Sequence, residues 1–426
     1  MSRKKVLVRG PALSRSGYGE HTRFLLRSLR KHEDRFDIYL INVGWGQLSW
    51  LYEFDEERGW IDSIITKTVV ENQQEAPSYD ISLQVTIPNE WERLAPVNIG
   101  ITAGIETTRV APEWIEKSLL MDKIITISEH SKNVYESTSY TAQDENTGQT
   151  IENYRTTTPI EIVHYPAKNL ESKEIDIDFA TDFNFLCVAN WGSRKNLDNT
   201  ILWFVEEFLD KDVGLVVKTN IAKNSLIDRR HCVQRLQGLL SKYPERKCKV
   251  YLLHGDLSDQ EMQHLYTHKK IKALVTLSHG EGFGLPIFEA VYNGLPVAAP
   301  NWSGHTDFLY MPIKDKKTKK TKNKAMFAKV DYTLQPVPPE AVWEGVIPEG
   351  VQWCVPEQGS YKVRLRQIHK DYNRFKSQAK KLQEYVKKEF DQDKQYDLFA
   401  NAIHEKTELN DLEDWFNELD AVEVHG

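Results

Sequence analysis

The sequence predicts an α/β protein with two Rossmann-like, doubly wound domains that face each other across a cleft. Its 426 residues exceed what one hydrophobic core ordinarily holds. Short β-branched runs alternate with helical patterns, which is typical of βαβ units and parallel sheets. An acidic stretch at 169–182 interrupts this alternation, and we interpret it as the linker between two series.

The first series predicts a domain at 1–170. Its strand-like runs lie at 6–9, 36–42, 81–86, 97–103, 123–128 and 160–165, and its helical patterns at 19–31, 113–121 and 129–137. The polar segment 141–158 contains few large apolar residues. We therefore expect it to form an exposed insertion.

The second series predicts a domain at 171–390, followed by helices within 391–426. Its strand-like runs lie at 183–190, 214–219, 248–254, 271–278 and 296–300, with helical patterns at 197–209, 225–243, 259–268 and 393–419 and one long amphipathic helix at 364–390. Ligands of such sheets bind at the carboxyl ends of the strands.

Composition excludes several classes of protein. The net charge of −7 gives no general case for binding nucleic acid or an anionic membrane. No apolar run approaches the length of a transmembrane segment, and the apolar part of the basic start is too short for a signal peptide. Four scattered cysteines without a CxxC pair predict reduced thiols. We expect a cytoplasmic protein; nothing in the sequence indicates its oligomeric state.

A glycine-rich turn between a strand and a helix is the main candidate site. The apolar run 271–278 predicts a buried strand, and the glycines that follow it allow a close approach of the backbone to a ligand. Pro286 suits the first turn of a helix, which Gly294 ends. Free N–H groups and the dipole at this helix N-terminus favour a phosphate.

Two carboxylates flank this turn. Glu281 lies in the loop and Glu289 about one turn into the helix. Both are unsuited to binding a phosphate, since like charges repel, but both can accept hydrogen bonds from sugar hydroxyls. Two ordinary surface glutamates are the alternative. The glycines, the proline and the flanking strands favour a site for a nucleotide sugar.

The motif EGFGLPIFE, from Glu281 to Glu289, resembles the paired-glutamate signature of the retaining glycosyltransferases of family 4, which have the GT-B fold. Residues 185–196 resemble the opening of that family's donor domain, and residues 1–29 the opening of its acceptor domain. The resemblance implies transfer from a nucleotide diphosphate sugar such as a UDP-sugar, with no metal and no other cofactor. It also implies that 391–426 packs back on the first domain.

The resemblance implies roles for individual residues. Glu289 would bind the ribose, Glu281 would hold the sugar, and Lys195 with Arg194 would neutralise the diphosphate. Asn190 stands where the family often has a phosphate-binding arginine, and Arg194 is the candidate to replace it. Backbone or side-chain contacts to the donor are further expected from Gly282, Phe283, Gly284, Leu285, Gly17, Gly19, Lys218, Ser303 and Gly304.

Other polar residues near these loops are weaker candidates. Many family members have a histidine near the end of the strand at 97–103, where this chain has none; Glu106 or Thr107 is expected to line the site instead. His279 and His305 flank the donor loop. Asp176 and Asp178 imitate a metal-binding DxD motif, but their place in the linker predicts solvated acids and no metal.

The sequence is compatible with more than one class of acceptor. A lysine-rich run begins at Lys314 and ends at Lys324. It is either a solvated loop or a binding surface for a polyanion. A glycan or a small molecule is one acceptor class; hydroxymethylated DNA, as in phage DNA glycosyltransferases, is the other. A nucleotide-sugar epimerase on the same fold and a non-catalytic binder are the remaining alternatives.

Overall fold

A computed structural model describes residues 3–46, 48–74, 76–143, 148–315 and 318–404. Its first sheet is parallel, with strand order β2-β1-β3-β4-β5-β8. The strands of this half are β1 (Lys4–Gly10), β2 (Phe36–Asn42), β3 (Ile81–Val85), β4 (Val97–Ile101), β5 (Lys123–Thr126), β6 (Tyr140–Gln143), β7 (Thr150–Tyr154) and β8 (Ile160–Ile162).

Four α-helices connect these strands, and their starts follow local capping chemistry. They are α1 (Gly17–Lys31), α2 (Glu56–Glu71), α3 (Pro112–Ser118) and α4 (Glu129–Ser137). The side chains of Ser16, Asp55 and Ser128 accept hydrogen bonds from the first turns of α1, α2 and α4. The sequence analysis missed α2, because only Ile61, Ile64 and Thr68 of its sixteen residues are buried and the apolar pattern is weak.

The second sheet is also parallel, with strand order β11-β10-β9-β12-β13-β16. The strands of this half are β9 (Asn184–Val188), β10 (Gly214–Lys218), β11 (Lys249–Leu253), β12 (Ile271–Val275), β13 (Val297–Pro300), β14 (Tyr310–Lys314), β15 (Thr321–Ala325), β16 (Ala328–Val330), β17 (Tyr332–Pro336) and β18 (Gln352–Pro356). Both sheets have the doubly wound topology that the alternating pattern predicts.

The helices of the second half are α5 (Leu197–Glu207), α6 (Leu226–Leu240), α7 (Asp259–Thr267), α8 (Leu285–Tyr292), α9 (Thr306–Leu309), α10 (Gln358–Lys370), α11 (Tyr372–Glu389) and α12 (Gln392–Ile403). Short 3-10 turns lie at Pro88–Glu90, Ser193–Lys195 and Pro339–Ala341. None of the helices in the described part of the chain is both long and apolar enough to cross a membrane.

The predicted single helix at 364–390 was wrong. It is two helices, α10 and α11, which Asp371 separates with a non-helical backbone (φ −126°, ψ 48°). The break lets α10 pack on α5 and α11 on α8, which one straight helix does not reach together. Amphipathic periodicity continues across Asp371, so the sequence pattern alone does not reveal the break.

Three antiparallel hairpins add to the sheets. The predicted insertion at 141–158 contains β6 and β7, which pair and are largely exposed. The lysine-rich run belongs to the second hairpin, in which β14 ends at Lys314 and β15 begins at Thr321. In the third hairpin β17 pairs with β18.

The last described helix returns to the first domain. Helix α12 packs on α1, where the hydroxyl of Ser28 donates to the carbonyl of Tyr396 at 2.6 Å. Phe399 is fully buried and its ring lies 4.8 Å from that of Phe24. The predicted helical stretch at 393–419 continues outside the described residues.

The loops at the carboxyl ends of the two sheets contact each other. Arg15, which follows β1, donates to the carbonyl of Leu257 at 3.2 Å, and Gly104, which follows β4, packs against Gly282. In the second sheet β9 lies between β10 and β12, where the strand order reverses. Ligands of doubly wound sheets bind at such switch points.

Candidate functional site

The loops after β9 and β12 meet at the switch point of the second sheet. The first carries Arg194 and Lys195, and the second carries Glu281. Gly284 adopts a left-handed backbone (φ +89°) as the N-cap of α8, and Pro286 lies in the first turn. These residues turn the chain sharply from the strand into the helix, as the glycines and the proline predict.

Glu281 is a buried carboxylate bound by two cations. Its Oε1 lies 2.6 Å from Nζ of Lys195, and its Oε2 lies 3.5 Å from a guanidinium nitrogen of Arg194. Burial by itself would raise the pKa of this carboxyl. Lys195 and Arg194 outweigh that effect and lower the pKa to about 2. The residues that the resemblance assigns to the sugar and the diphosphate, Glu281, Lys195 and Arg194, therefore lie together, and Glu281 is ionised at neutral pH.

Glu106 completes this cluster from the first domain. Its carboxylate lies 3.3 Å from the guanidinium of Arg194, which also donates to the carbonyl of Gly280. Two carboxylates thus match the charges of Arg194 and Lys195 across the domain interface. Arg194 and Lys195 were expected to neutralise a diphosphate. In this structure Glu106 and Glu281 already balance their positive charges.

Glu289 lies one turn into α8 in a very different environment. Its carboxyl is half-buried and accepts a hydrogen bond of 2.7 Å from the hydroxyl of Tyr266. Burial raises the pKa of Glu289 to about 7, although Tyr266 and the charge of Lys168 oppose this shift. The two glutamates of the motif are therefore perturbed in opposite directions, which is typical of functional sites.

The rest of the glycine loop is held by backbone packing. A side chain at Gly282 would collide with the carbonyl of Ala103 in the first domain. Phe283 is 2% exposed and packs on Phe288 and Phe308, so only its backbone can reach a ligand. Leu285 is half-buried as the first residue of α8.

Ser303 and Gly304 serve the Glu281 loop in this structure. The hydroxyl of Ser303 accepts a hydrogen bond from the N–H of Glu281 at 3.0 Å. The N–H of Gly304 donates to the carbonyl of Glu281 at 2.9 Å. The N–H of Gly304 is therefore engaged with the Glu281 loop in this structure. His279 and His305 contact backbone carbonyls, those of Cys354 and Pro300.

The two glycines after β1 have different surroundings. Gly17 is exposed at the start of α1, with open space around its α-carbon. Gly19 packs against the carbonyl of Ser14, which leaves no room for a side chain. Gly19 is therefore required by packing, and only Gly17 faces solvent where a ligand could approach.

Lys218 ends β10, and its Nζ donates to the carbonyl of Gly255 at 2.6 Å. Arg15 reaches the same loop from the first domain through Leu257. The sequence analysis did not select Arg15, and its place directly before the Ser-Gly turn was the available signal. It also missed Tyr266, whose position on α7 relative to Glu289 no local pattern reveals.

Two groups of residues have side chains of the kind that bind metals. Asp178 forms an ion pair with Lys270 at 3.1 Å and is highly exposed, as expected of a solvated acid. Within the described residues one group, Asp228, Cys232 and His254, brings its ligand atoms within 4.8 Å of one another. Asp228 already accepts from His254 at 2.7 Å and from two backbone N–H groups, so this cluster orders the loop after β10. All four cysteines are buried free thiols.

No protein-family model and no curated protein sequence matches this chain. Solved structures do. Sucrose-phosphate synthase from Thermosynechococcus elongatus is 12% identical, with a TM-score of 0.59 over 99% of this chain and 100% of that one. A glycosyltransferase from Rickettsia africae has a TM-score of 0.56 at 12% identity, covering 95% of this chain and 100% of its own.

Anabaena HepE, solved with UDP and glucose, has a TM-score of 0.54 at 12% identity, covering 94% of this chain and 99% of that one. At such low identity these likenesses establish architecture only. The two six-stranded parallel sheets of this chain lie within a structural match that spans nearly its whole length. This chain has the GT-B fold, with two Rossmann-like domains, that is found in nucleotide-sugar glycosyltransferases.

Proposed function

We propose that the chain is a retaining glycosyltransferase, related to family 4, that moves a sugar from a UDP-sugar to an acceptor hydroxyl without a metal. The observation that carries the proposal is the pair Glu281 and Glu289 on either side of the α8 N-terminus, with pKa values of about 2 and about 7. One carboxyl is ionised at neutral pH beside Lys195, and the other can accept hydrogen bonds from ribose hydroxyls. The pair lies where ligands of this sheet topology bind.

The proposed mechanism assigns a role to each group. Glu281, held by Lys195, accepts hydrogen bonds from the transferred sugar and orients it. Because its pKa is low, Glu281 is a poor base for the acceptor hydroxyl. This favours a mechanism in which the acceptor attacks from the same face of the sugar as the leaving group. The acceptor oxygen then bonds to the anomeric carbon, the bond to the diphosphate breaks, and the proton passes to a phosphate oxygen. Nearby cations and helix-end N–H groups stabilise the departing charge.

A transfer assay tests this function. We expect sugar transfer from one of a panel of UDP-sugars to a hydroxyl acceptor, detected by mass spectrometry, with the anomeric configuration retained by NMR. Glu281→Gln should lower turnover by about a hundredfold or more, because it removes an interaction with the reacting sugar. Inversion at the anomeric carbon, or unchanged turnover of this variant, would contradict the proposal.

Metal independence has its own test. Turnover should survive exhaustive chelation, since the protein supplies cations close to the leaving group. Loss of turnover in EDTA that manganese or magnesium restores would contradict this part alone.

A second candidate for the acceptor is hydroxymethylated DNA. The hairpin of β14 and β15 favours it, because Lys314, Lys319, Lys320, Lys322 and Lys324 lie on it and none forms an ion pair among the described residues. The run from Lys314 to Lys324 holds seven lysines and one aspartate, so it contributes +6 and the rest of the chain −13. Glycans, small hydroxyl compounds and modified DNA should therefore be assayed separately. The four free thiols support a reducing, cytoplasmic setting.

A further inference from the structure

Two cations from opposite domains converge on one loop of the cleft. Arg15 follows β1 in the first domain, and Lys218 ends β10 in the second. The guanidinium of Arg15 donates to the carbonyls of Leu257 and Trp50, at 3.2 and 3.4 Å. The Nζ of Lys218 donates to the carbonyl of Gly255 at 2.6 Å, two residues before Leu257.

Neither cation has a carboxylate partner among the described residues. All their hydrogen bonds go to neutral backbone carbonyls. The acid between these carbonyls, Asp256, is instead bound by the side-chain amide of Asn224. Arg194 and Lys195 differ in this respect, because Glu106 and Glu281 match their charges.

Bringing two cations together in a partly buried place opposes folding. Burial lowers the pKa of Lys218, and the charge of Arg15 lowers it further, although Asp256 raises it. A group that is destabilised in the free protein is stabilised when a ligand supplies the opposite charge. A diphosphate is a ligand of this kind, with oxygens that can accept from both side chains at once.

The position of the two cations fits such a ligand. Lys218 lies beside Val188 in the register of β9 and β10, next to the loop that leads to Arg194 and Lys195. Arg15 precedes the exposed Gly17 at the N-terminus of α1, where the helix dipole favours an anion. Both lie at carboxyl ends of strands in their sheets.

We propose that Arg15 and Lys218 bind the diphosphate of the donor from opposite domains, and that Arg194 and Lys195 act mainly on Glu281. This assignment rests on the proposed function. The sequence assigns the charge of the leaving diphosphate to Arg194 and Lys195. In this proposal Arg15 and Lys218, which are far apart in the chain, balance that charge instead. It also makes donor binding depend on contact between the domains.

Calorimetry with UDP, UMP and uridine tests this assignment, with ADP and GDP in parallel. The variants are Arg15→Gln and Lys218→Met, each of which removes the charge; methionine nearly matches lysine in size, whereas glutamine is shorter than arginine. Each should weaken UDP binding by about tenfold or more, the effect of a charge-assisted hydrogen bond, and leave uridine binding within about twofold. Arg15→Lys should recover part of the loss.

Arg246→Gln is the matched control. Among the described residues its guanidinium also donates to backbone carbonyls, those of Leu240 and Tyr243, but it lies before β11, at the amino ends of the strands and away from the carboxyl-end loops. We expect no change in UDP affinity. Equal losses for uridine and UDP would show a structural role and overturn the assignment, as would unchanged UDP affinity in Arg15→Gln and Lys218→Met.

Two further outcomes separate the possible failures. If the variants bind UDP normally but raise the KM of a phosphorylated acceptor, the cations serve the acceptor and the assignment to the donor is wrong. If the wild-type protein binds none of the three nucleoside diphosphates, the proposed function itself fails, and the assignment fails with it.

Discussion

Glu281 and Glu289 lie eight residues apart in one motif, yet the pKa values of their carboxyl groups are shifted in opposite directions. Lys195 and Arg194 surround Glu281 and lower its pKa to about 2. Glu289 lacks an ion pair among the described residues, so burial raises its pKa to about 7. A neighbouring cation favours the charged form of an acid, whereas burial without one favours the neutral form.

The pKa of Glu289 predicts pH-dependent donor binding. Below about pH 7 the free protein carries this carboxyl protonated, while ribose hydroxyls bind its ionised form better. Affinity for UDP-glucose should therefore rise about tenfold from pH 6 to pH 8 and level off above, by proton linkage. UDP-glucose is the probe because its phosphates stay ionised throughout.

Isothermal titration at several pH values measures this dependence. Glu289→Gln should bind more weakly, by about tenfold at pH 8, and its affinity should not change with pH. A flat profile in the wild-type protein, or the same slope in the glutamine variant, would refute the role of Glu289 in ribose binding.

At the scale of elements, helix α12 contributes its apolar face to the first domain. Phe399 is fully buried against α1, whereas its neighbour Leu398 is 46% exposed. Phe399→Ala should lower the free energy of unfolding by about 3–5 kcal/mol, because it removes a buried ring and leaves a cavity.

Denaturant unfolding, followed by fluorescence, tests this contribution. Leu398→Ala is the control on the same helix and should cost less than about 1 kcal/mol, since about half of this residue is already exposed to solvent. Comparable losses for both variants would show that α12 is only loosely attached. With domain boundaries at 170 and 390 and α12 packed on the first domain, we expect Phe399→Ala to destabilise the unfolding transition of the first domain.

The lysine hairpin supplies a second prediction at this scale. If β14 and β15 hold DNA, each lysine that contacts a phosphate releases counterions, and the log–log slope of binding against salt should approach −0.9 per contact on duplex DNA. Changing Lys314, Lys319, Lys320, Lys322 and Lys324 to glutamine should flatten that slope and leave nucleotide affinity unchanged.

A control with five other lysines separates local from general charge effects. Helix α11 exposes Lys376, Lys380, Lys381, Lys387 and Lys388. Their change to glutamine should alter the slope much less. Identical salt curves for the wild-type protein and the hairpin variant would remove the main support for a DNA acceptor.

At the scale of the whole molecule, the two domains touch through backbone. Gly104 has a left-handed conformation (φ +107°), and a methyl group there would overlap the α-carbon of Gly282. The ion pair of Glu106 with Arg194 and the hydrogen bond from the N–H of Glu129 to Asp307 join the same faces. Close contact at Gly104 is thus required for this arrangement.

Gly104→Ala should hold the domains apart and reduce transfer by about a hundredfold, because a displacement of about 1 Å misaligns the reacting groups. Uridine affinity should change little. Gly148→Ala is the control, since Gly148 also has a positive φ (+68°) but faces open space. Small-angle scattering should show expansion only for Gly104→Ala; full activity of this variant would contradict the requirement for closure.

Local patterns were sufficient for most of the secondary structure. Strand and helix signals depend on residues near one another in sequence, and the predicted strands at 36–42, 214–219 and 271–278 overlap β2, β10 and β12. The break at Asp371 depends on packing against α5 and α8, and the helix α2 depends on packing against β2. Neither contact produces a periodic pattern in the sequence, so neither feature was predicted.

Local sequence signals predicted the two doubly wound domains and the glycine turn before α8, since each depends on a strand end and a helix start that are close together in the chain. The fold alone revealed the contact of Glu281 with Lys195, the ionisation of Glu289, the pairing of Arg194 with Glu106, and the approach of Arg15 to Lys218. Charge and burial depend on distances between residues far apart in the chain, and folding sets those distances.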